Sequence, residues 1–567
     1  MRLIEIRTLD GPSVYRLEPA AKLELAIGPR RSWSGRREPA RAAVVRLGAR
    51  VPRAEWPRPV AVAAGWAARL GRLDVGASPR VAVHRGSDPG HWVVTWRWRR
   101  SRRAELTAEA AFELARRGVD PSRSVTASPA ARRLVARWRR RITDAGGSEP
   151  SWVRDVDRHV PAISISGTNG KSTTTRLITR ILVTTGRRVG TTTSDGILVD
   201  ERLVEEGDWT GPGGARAVFE RQEVEIAVLE TARGGLLLRG LGYESNDASV
   251  LTNVSSDHMD LQGIHTLPEL AEVKATICRV TRADGWVVLN ADDRYVAAIA
   301  RTVRARVALF TLEGDRSGRV GRHLAGGGRA YLVRDGVAGE AEGTAWRPIA
   351  PVAAIPITIG GAARHNIANV LAAAGGARAM GASIEDVRRG LLAFDAGAAA
   401  SPGRLNVFRR DERVVIVDFA HNEAGLVAVL DVADAIAASL GAEVAAVIGT
   451  AGDRPDDTLR GIGRIAAGRV RRLALKETIR YLRGRSRESV IAELRAGALE
   501  GGWHAPMPLY GSEPAALAGE LDREVTRPEV LVVLCHADRD ELFAMLADRG
   551  FRPVAGATEL AALVGGS

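Results

Sequence analysis

In the stretch SISGTNGKSTTTRLI, residues 164–178, a lysine between a glycine and a run of hydroxyls follows a short apolar segment. Gly167, Thr168, Asn169 and Gly170 make a turn, and Lys171, Ser172 and Thr173 open a helix that the pattern carries to Gly186. Strand, glycine turn and helix in this order form an anion cradle. Backbone N–H groups and the positive helix end face a phosphate, the Lys171 amine reaches terminal phosphates, and the Ser172 hydroxyl can ligate Mg²⁺. The match to the general nucleotide pattern is partial, because Ile165 stands where that pattern has its first glycine.

Two more segments bring chemistry to strand ends. VEIAVLETARGG (224–235) delivers Glu230 at the end of a buried strand, and DASVLTNVSSDHMDLQG (247–263) delivers Asp257 and His258. In a parallel α/β sheet ligands bind outside the carboxyl ends of strands, so Glu230 and His258 are expected beside Lys171, where a carboxylate and an imidazole suit Mg²⁺ sites. Lysine scarcity adds a second signal. Lys22, Lys171, Lys274 and Lys476 are the only lysines among 81 basic residues. Arginine cannot replace lysine where a compact ammonium fits under a phosphate or where an amine must react covalently, which marks Lys274 and Lys476 as candidates too.

The elements that position these groups follow from patterning. A chain of 567 residues with 45% apolar content holds about three domains. After residue 300 hairpins are expected, then a helix in GGAARHNIANVLAAAGGARAMG (360–381) whose start carries His365, Asn366 and Asn369. SPGRLNVF (401–408) reads as a linker into a last doubly wound domain with strands in VVIVDFAHNEAGL, AEVAAVIGTAGDRPDD and EVLVVLCHADRDEL. No apolar run approaches a membrane span, the N-terminus lacks a signal-peptide core, and Cys278 and Cys535 make neither a disulfide framework nor a metal spacing, so a cytoplasmic protein is expected.

The charge of +14 is uneven: residues 1–150 hold 31 basic against 14 acidic side chains, a net of +17, and the remainder is −3. TWRWRRSRR (95–103) and ARRLVARWRRR (131–141) mix arginine with tryptophan, which suits phosphates or carboxylates together with stacking on flat groups. An acidic polymer and a nucleic acid are the partners such a composition admits; a solvated face in an arginine-biased chain is the plain alternative.

Eight motifs in order, SGTNGKST, LETARGG, NVSSDHMDLQG, LNADD, RHNIANVLAA, PGRLN, VDFAHN and GTAGDR, resemble the Mur ligase family of ATP-dependent amide ligases. Within it they are most similar to the Mur-ligase half of the cyanophycin synthetases, as is the stretch at 189–216. LIEIRTLDGPSVYRLEP and the segment around AARLGRLDVGASPRVAVHRGSDPGHWVVTWRW resemble the N-terminal domain of those enzymes. The resemblance implies an α/β multidomain fold: a small α+β N-terminal domain (1–120), a linker (121–160) where those enzymes carry an ATP-grasp domain, a central P-loop ATPase domain (161–400) and a Rossmann-like C-terminal domain (401–567).

It also implies roles. ATP would phosphorylate a substrate carboxylate and an amino-acid amine would attack the acyl phosphate. Ser172 and Glu230 would hold one Mg²⁺, His258 would help hold another, and Lys274 stands where several family members carry a carbamylated lysine that positions it. Asn290 and Asn366 would lie by the adenine, Arg404 would reach the γ-phosphate and Asp418 the nucleotide, with Phe419 in place of the usual tyrosine. His421, Asn422, Asp453, Arg454, Lys476 and Glu477 are the candidate substrate contacts. Before LRGR (482–485) the acidic run that would suit a guanidinium substrate is missing and Glu477 alone is left, so an acidic or neutral amino acid is expected rather than arginine. The implied partners are that amino acid, a carboxylate-bearing and acidic, polymeric acceptor, and a separate polymer-making protein; a homo-oligomer is expected, a membrane or nucleic-acid partner is not. The alternatives are a folylpolyglutamate- or poly-γ-glutamate-type ligase, an inactive nucleotide-binding scaffold, and a nucleic-acid-stimulated ATPase.

Overall fold

The computed structural model describes residues 1–28, 47–123, 128–256, 259, 261–314, 318–397 and 401–565. The first unit is an antiparallel sheet with strands in the spatial order Arg2–Leu9, Ala20–Ala26, His91–Arg97 and Ala82–Arg85. Three helices, Arg58–Val75, Ser101–Arg116 and Pro129–Asp144, cover it. Two sequence expectations change here. The segment expected as a linker holds the helix Pro129–Asp144, capped by the Ser128 hydroxyl and opened by a proline. Its Leu134, Trp138 and Ile142, spaced by four, bury against the N-terminal core and make it part of that unit. The tryptophans of the two arginine-rich stretches, Trp96, Trp98 and Trp138, are likewise core residues with their indoles turned inward, so none of them is presented for stacking on a partner.

The central unit is an eleven-stranded sheet whose middle is parallel and whose two edges are hairpins, including the pair expected after residue 300. The parallel register sets Ser166 beside Leu251 and Ile165 beside Glu230, so the chain leaves the strands Ala162–Ser166, Ile226–Glu230 and Asn246–Leu251 at one edge. These strands are buried on both faces: Ile163, Ile165, Val228 and Val250 pack in one core cluster and Ala162, Ala227, Leu229 and Leu251 in the other. The third unit is a seven-stranded sheet, parallel across Leu509–Tyr510, Arg472–Lys476, Glu443–Ile448, Glu529–Leu534 and Arg413–Asp418, with two antiparallel strands at one side. Its last helix, Ala557–Leu563, packs on the turn Pro356–Gly361 of the central unit. Among the described residues no helix is long and apolar enough to cross a membrane, and Cys278 and Cys535 are both buried free thiols.

Candidate functional site

The glycine turn expected from the sequence is built as an anion cradle. Gly170 caps the helix Lys171–Val183 at φ +81°, a left-handed conformation suited to glycine. A Cβ on Gly167 would lie 1.9 Å from the Thr252 hydroxyl, and one on Gly170 would lie 2.2 Å from the Asn369 amide oxygen. The loop is pinned from the neighbouring strand: the Asn169 N–H donates to Asn253 Oδ1 at 2.9 Å, and Thr252 Oγ1 and Asn253 Nδ2 both donate to the Asn169 carbonyl. Thr168 exchanges hydrogen bonds with Ser255. The sequence reading missed Thr252 and Asn253, although they directly follow a strand whose end it had already placed at the site.

Around this cradle the predicted charged residues gather from four segments. The Lys171 amine donates to the Thr168 carbonyl at 2.8 Å, and the buried Lys274 amine donates to the Gly167 carbonyl at 2.6 Å. Ser172 Oγ donates to Glu230 Oε1 at 3.0 Å, and the Arg404 guanidinium comes from the interdomain linker to 3.5 Å of the same hydroxyl. Burial pushes the Glu230 carboxyl above its ordinary range, and the charges of Lys171 and Arg404 oppose that shift. Its second oxygen, Oε2, is buried with no hydrogen-bond partner among the described residues. A buried carboxylate oxygen without a donor, next to a serine hydroxyl and a phosphate-type loop, is a donor set that fits a hard divalent cation. His258 and Asp257 lie outside the described residues.

Beside the cradle a cavity of about 300 Å³ opens between the central and C-terminal units. Asn169, Gly170, Thr173, Asn290, Asn366, Arg404, Asp418 and His421 all line it, as does Phe310. Asn290 Nδ2 donates to the Thr252 carbonyl at 2.8 Å and Asn366 Nδ2 to the Ile357 carbonyl at 2.9 Å, which fixes both amides in its wall. Asp418 accepts from the N–H groups of Leu405 and Ala420, each at 2.7 Å. Burial raises its carboxyl above the ordinary range, and Arg404 opposes this. The two units also touch directly. Asn169 and Asn422 exchange amide hydrogen bonds at 3.3 and 3.0 Å, and Arg539 of the C-terminal unit reaches Asp195 at 3.2 Å, which Arg176 of the helix after the glycine turn also grips. Sequence reasoning missed Asp195 and Arg539, since nothing local ties residues so far apart.

The remaining substrate candidates do not line that cavity. Asp453 and Arg454 lie in the loop between the strand Glu443–Ile448 and the helix Asp456–Ala467 and pair with each other at 3.1 Å, and Arg483 reaches Asp453 at 2.5 Å. Glu477 has Arg487 at 3.6 Å. Lys476 departs from expectation: at 1% exposure it is sealed inside the C-terminal unit, its ammonium on Glu513, and it presents nothing to a substrate.

Residues 165–377 match the Mur ligase middle domain and residues 403–549 the Mur ligase glutamate ligase domain, together more than half of the chain. Cyanophycin synthetase of Crocosphaera subtropica is 41% identical over 318 residues, 56% of this chain and 36% of that protein. The UDP-N-acetylmuramoyl-L-alanyl-D-glutamate--2,6-diaminopimelate ligase of Alkalilimnicola ehrlichii is 28% identical over 384 residues, 67% of this chain and 72% of that one. A ligand-free bifunctional folylpolyglutamate synthase/dihydrofolate synthase from Yersinia pestis superposes with a TM-score of 0.49 at 18% identity, covering 69% of this chain and 90% of that one. The aligned region spans little more than a third of the length of the cyanophycin synthetases it matches. With both domains matched in order and the glycine turn, Glu230 and the linker arginine drawn together between them, the chain belongs to the Mur ligase family.

Proposed function

We propose that the protein is an ATP-dependent amide ligase that activates a substrate carboxylate as an acyl phosphate and joins it to an amino-acid amine. The carboxylate oxygen attacks the γ-phosphorus and ADP leaves; the amine then attacks the acyl carbon, loses a proton, and phosphate departs as the amide forms. Charge is the obstacle, because a carboxylate must approach a polyanion. The observation that carries the reading is the convergence of Lys171, Ser172 and the linker residue Arg404 on the buried carboxyl group of Glu230, one oxygen of which has no donor among the described residues.

In this reading Ser172 and Glu230 would hold a Mg²⁺ ion, with His258 and a carbamylated Lys274 serving a second; bound there, the metal would neutralise phosphate charge. Lys171 and Arg404 supply fixed positive charge to the transferring phosphoryl group. Asn290, Asn366 and Asp418 line the place for the rest of the nucleotide. His421, Asn422, Asp453, Arg454 and Glu477 face the amine's side at the carboxyl ends of the C-terminal strands. Each acidic side chain among them already has an arginine partner, which supports an acidic or neutral amino acid over a guanidinium one. The +17 N-terminal part suits an acidic, polymeric acceptor made by a separate protein, held near the site rather than acted on there.

A phosphate-release screen of the twenty amino acids against peptide, poly-aspartate and poly-glutamate acceptors tests this. The expected result is Mg²⁺-dependent release that needs both an amino acid and a carboxylate acceptor. Release without an acceptor, stimulated by RNA or DNA, would overturn it.

A further inference from the structure

The C-terminal unit contains a buried polar cluster that the proposed chemistry does not use. Glu513, at the start of the helix Glu513–Leu521, is 2% exposed and turns its carboxylate into the loop after the strand Glu529–Leu534. There it accepts the N–H groups of His536, Ala537 and Asp538 at 2.7, 3.0 and 2.8 Å, the Cys535 thiol at 3.0 Å and the Lys476 ammonium. The same ammonium lies 3.0 Å from Nδ1 of His536. An ammonium has donors only, so Nδ1 must accept and the imidazole proton must sit on Nε2. That nitrogen is 3.1 Å from the Ala420 carbonyl and donates to it.

Ala420 belongs to the loop that carries the nucleotide-side residues. Its N–H holds Asp418, and its neighbour Phe419 packs its ring 5.3 Å from the His536 ring. The Arg404 guanidinium lies over the Phe419 ring, 4.6 Å from its centroid, and the centroid of the His421 ring lies 5.3 Å from that of Phe419. A continuous path therefore runs from the buried pair through an imidazole of fixed tautomer to one backbone carbonyl and one aromatic ring, and from that ring to the arginine beside Ser172.

We propose that Lys476, Glu513 and His536 are positioning residues of the ligase site: touching no substrate, they fix the loop 418–421 and, through Phe419, set the orientation of Arg404. This rests on the ATP-ligase reading and assigns to Lys476 a role other than substrate contact. Phe419 gains a reason as well, since a flat ring between His536 and Arg404 does its work without a hydroxyl.

The test measures binding of a fluorescent ATP analogue with Mg²⁺ to the full chain. A glutamine amide can set an N–H donor where Nε2 lies, whereas an asparagine amide reaches only as far as Nδ1. His536→Asn should weaken nucleotide binding by about tenfold, and His536→Gln should stay within about threefold of the intact chain. In an Arg404→Ala background His536→Asn should cost little more, because the two act on one path. If His536→Asn does not fold, Phe419→Leu, which leaves the buried pair intact, should give the same tenfold loss. Unchanged nucleotide binding in His536→Asn or Phe419→Leu, or losses that simply add to that of Arg404→Ala, would overturn the proposal. An intact chain that binds no nucleotide would instead overturn the ligase reading beneath it.

Discussion

Lys171 and Lys476 stand at similar places, each near the carboxyl end of a parallel strand, and their surroundings separate them. Lys171 is half-buried, and its one hydrogen bond to a loop carbonyl can be exchanged for a phosphate. Lys476 is enclosed by Glu513, Thr478 and His536, and leaving them would strand a buried carboxylate. An accessible cation with a replaceable partner can meet a ligand; an enclosed cation with a charged partner is held by the fold. Lysine is rare in this chain, and at both positions a guanidinium would not serve, for different reasons.

The largest expected effect is at the accessible end. On the ligase reading proposed above, Lys171→Ala removes the charge that meets the transferring phosphoryl group and should cut acceptor-dependent phosphate release by about 10³-fold or more, with the melting temperature nearly unchanged. Full activity in that variant would end the ligase mechanism. Lys274→Arg should also lose most activity, because a guanidinium neither fits the buried site at the Gly167 carbonyl nor becomes an anionic metal ligand. An active variant would show that Lys274 only supports the loop.

At the enclosed end the signs reverse. Lys476→Met leaves Glu513 buried and unpaired, and should lower stability by about 3–5 kcal/mol in urea unfolding. The double variant Lys476→Met, Glu513→Gln, with no charge left behind, should recover a good part of that loss. Equal losses in both would mean that packing, not charge, governs the site.

A smaller effect is expected with pH. Burial, with the Lys476 charge, pushes the His536 imidazole down to about 4 from 6.5. Below pH 6.5 the unfolded chain takes up a proton that the folded chain refuses, so stability is full above 6.5 and falls as the pH drops toward 4, at about 1.4 kcal/mol per unit for this group. Burial works against ionisation of Glu513, but its bonds to His536 and the Lys476 charge hold its carboxyl well below the ordinary range; it therefore adds to the loss only below about pH 4.5. His536→Gln should flatten the slope of unfolding free energy between pH 6.5 and 5. An unchanged slope would locate the titration elsewhere, with His84 and His365, also held near 4 by burial, as the next groups to replace.

How far the sequence reached follows from the same contrast. Gly170, Lys171, Ser172 and Glu230 were legible because strand, turn and helix are local signals and parallel strands end at one edge. Arg404 was legible only through the order of family motifs, since 232 residues separate it from Ser172. Glu513, His536 and Asp195 were not legible, because the partners named above lie 19 to 344 residues away and no local pattern marks them. Lys476 was found for a sound reason, its survival as lysine, but rarity reports constraint and not its kind. The helix Pro129–Asp144 was missed although Ser128, Pro129 and the four-residue spacing of Leu134, Trp138 and Ile142 all announce it; the arginines around that stripe hid the pattern.

Those arginines extend the comparison to cations with no enclosure at all, and the expected effect is smallest there. Arg133, Arg137 and Arg141 follow one another at four-residue steps, where like charges destabilise a helix by a few tenths of a kcal/mol per pair. Glu113 and Glu109 lie 3.9 Å from the latter two, too loose and too exposed to stabilise much. Arg140 of the same helix is exposed as well, and replacing Arg133, Arg137 and Arg140 with serine should leave stability within about 1 kcal/mol of the intact chain, in contrast to Lys476→Met. If accessible cations act on ligands, the same triple variant should raise KM for a poly-glutamate or poly-aspartate acceptor by about three- to tenfold and make it less sensitive to salt, while kcat on a short acceptor stays nearly constant. Steady-state kinetics at two salt concentrations on both acceptors read this directly. A KM that moves equally for the polymer and the short acceptor, or for neither, would mean that the basic helix does not hold the acceptor and that its charge is only composition.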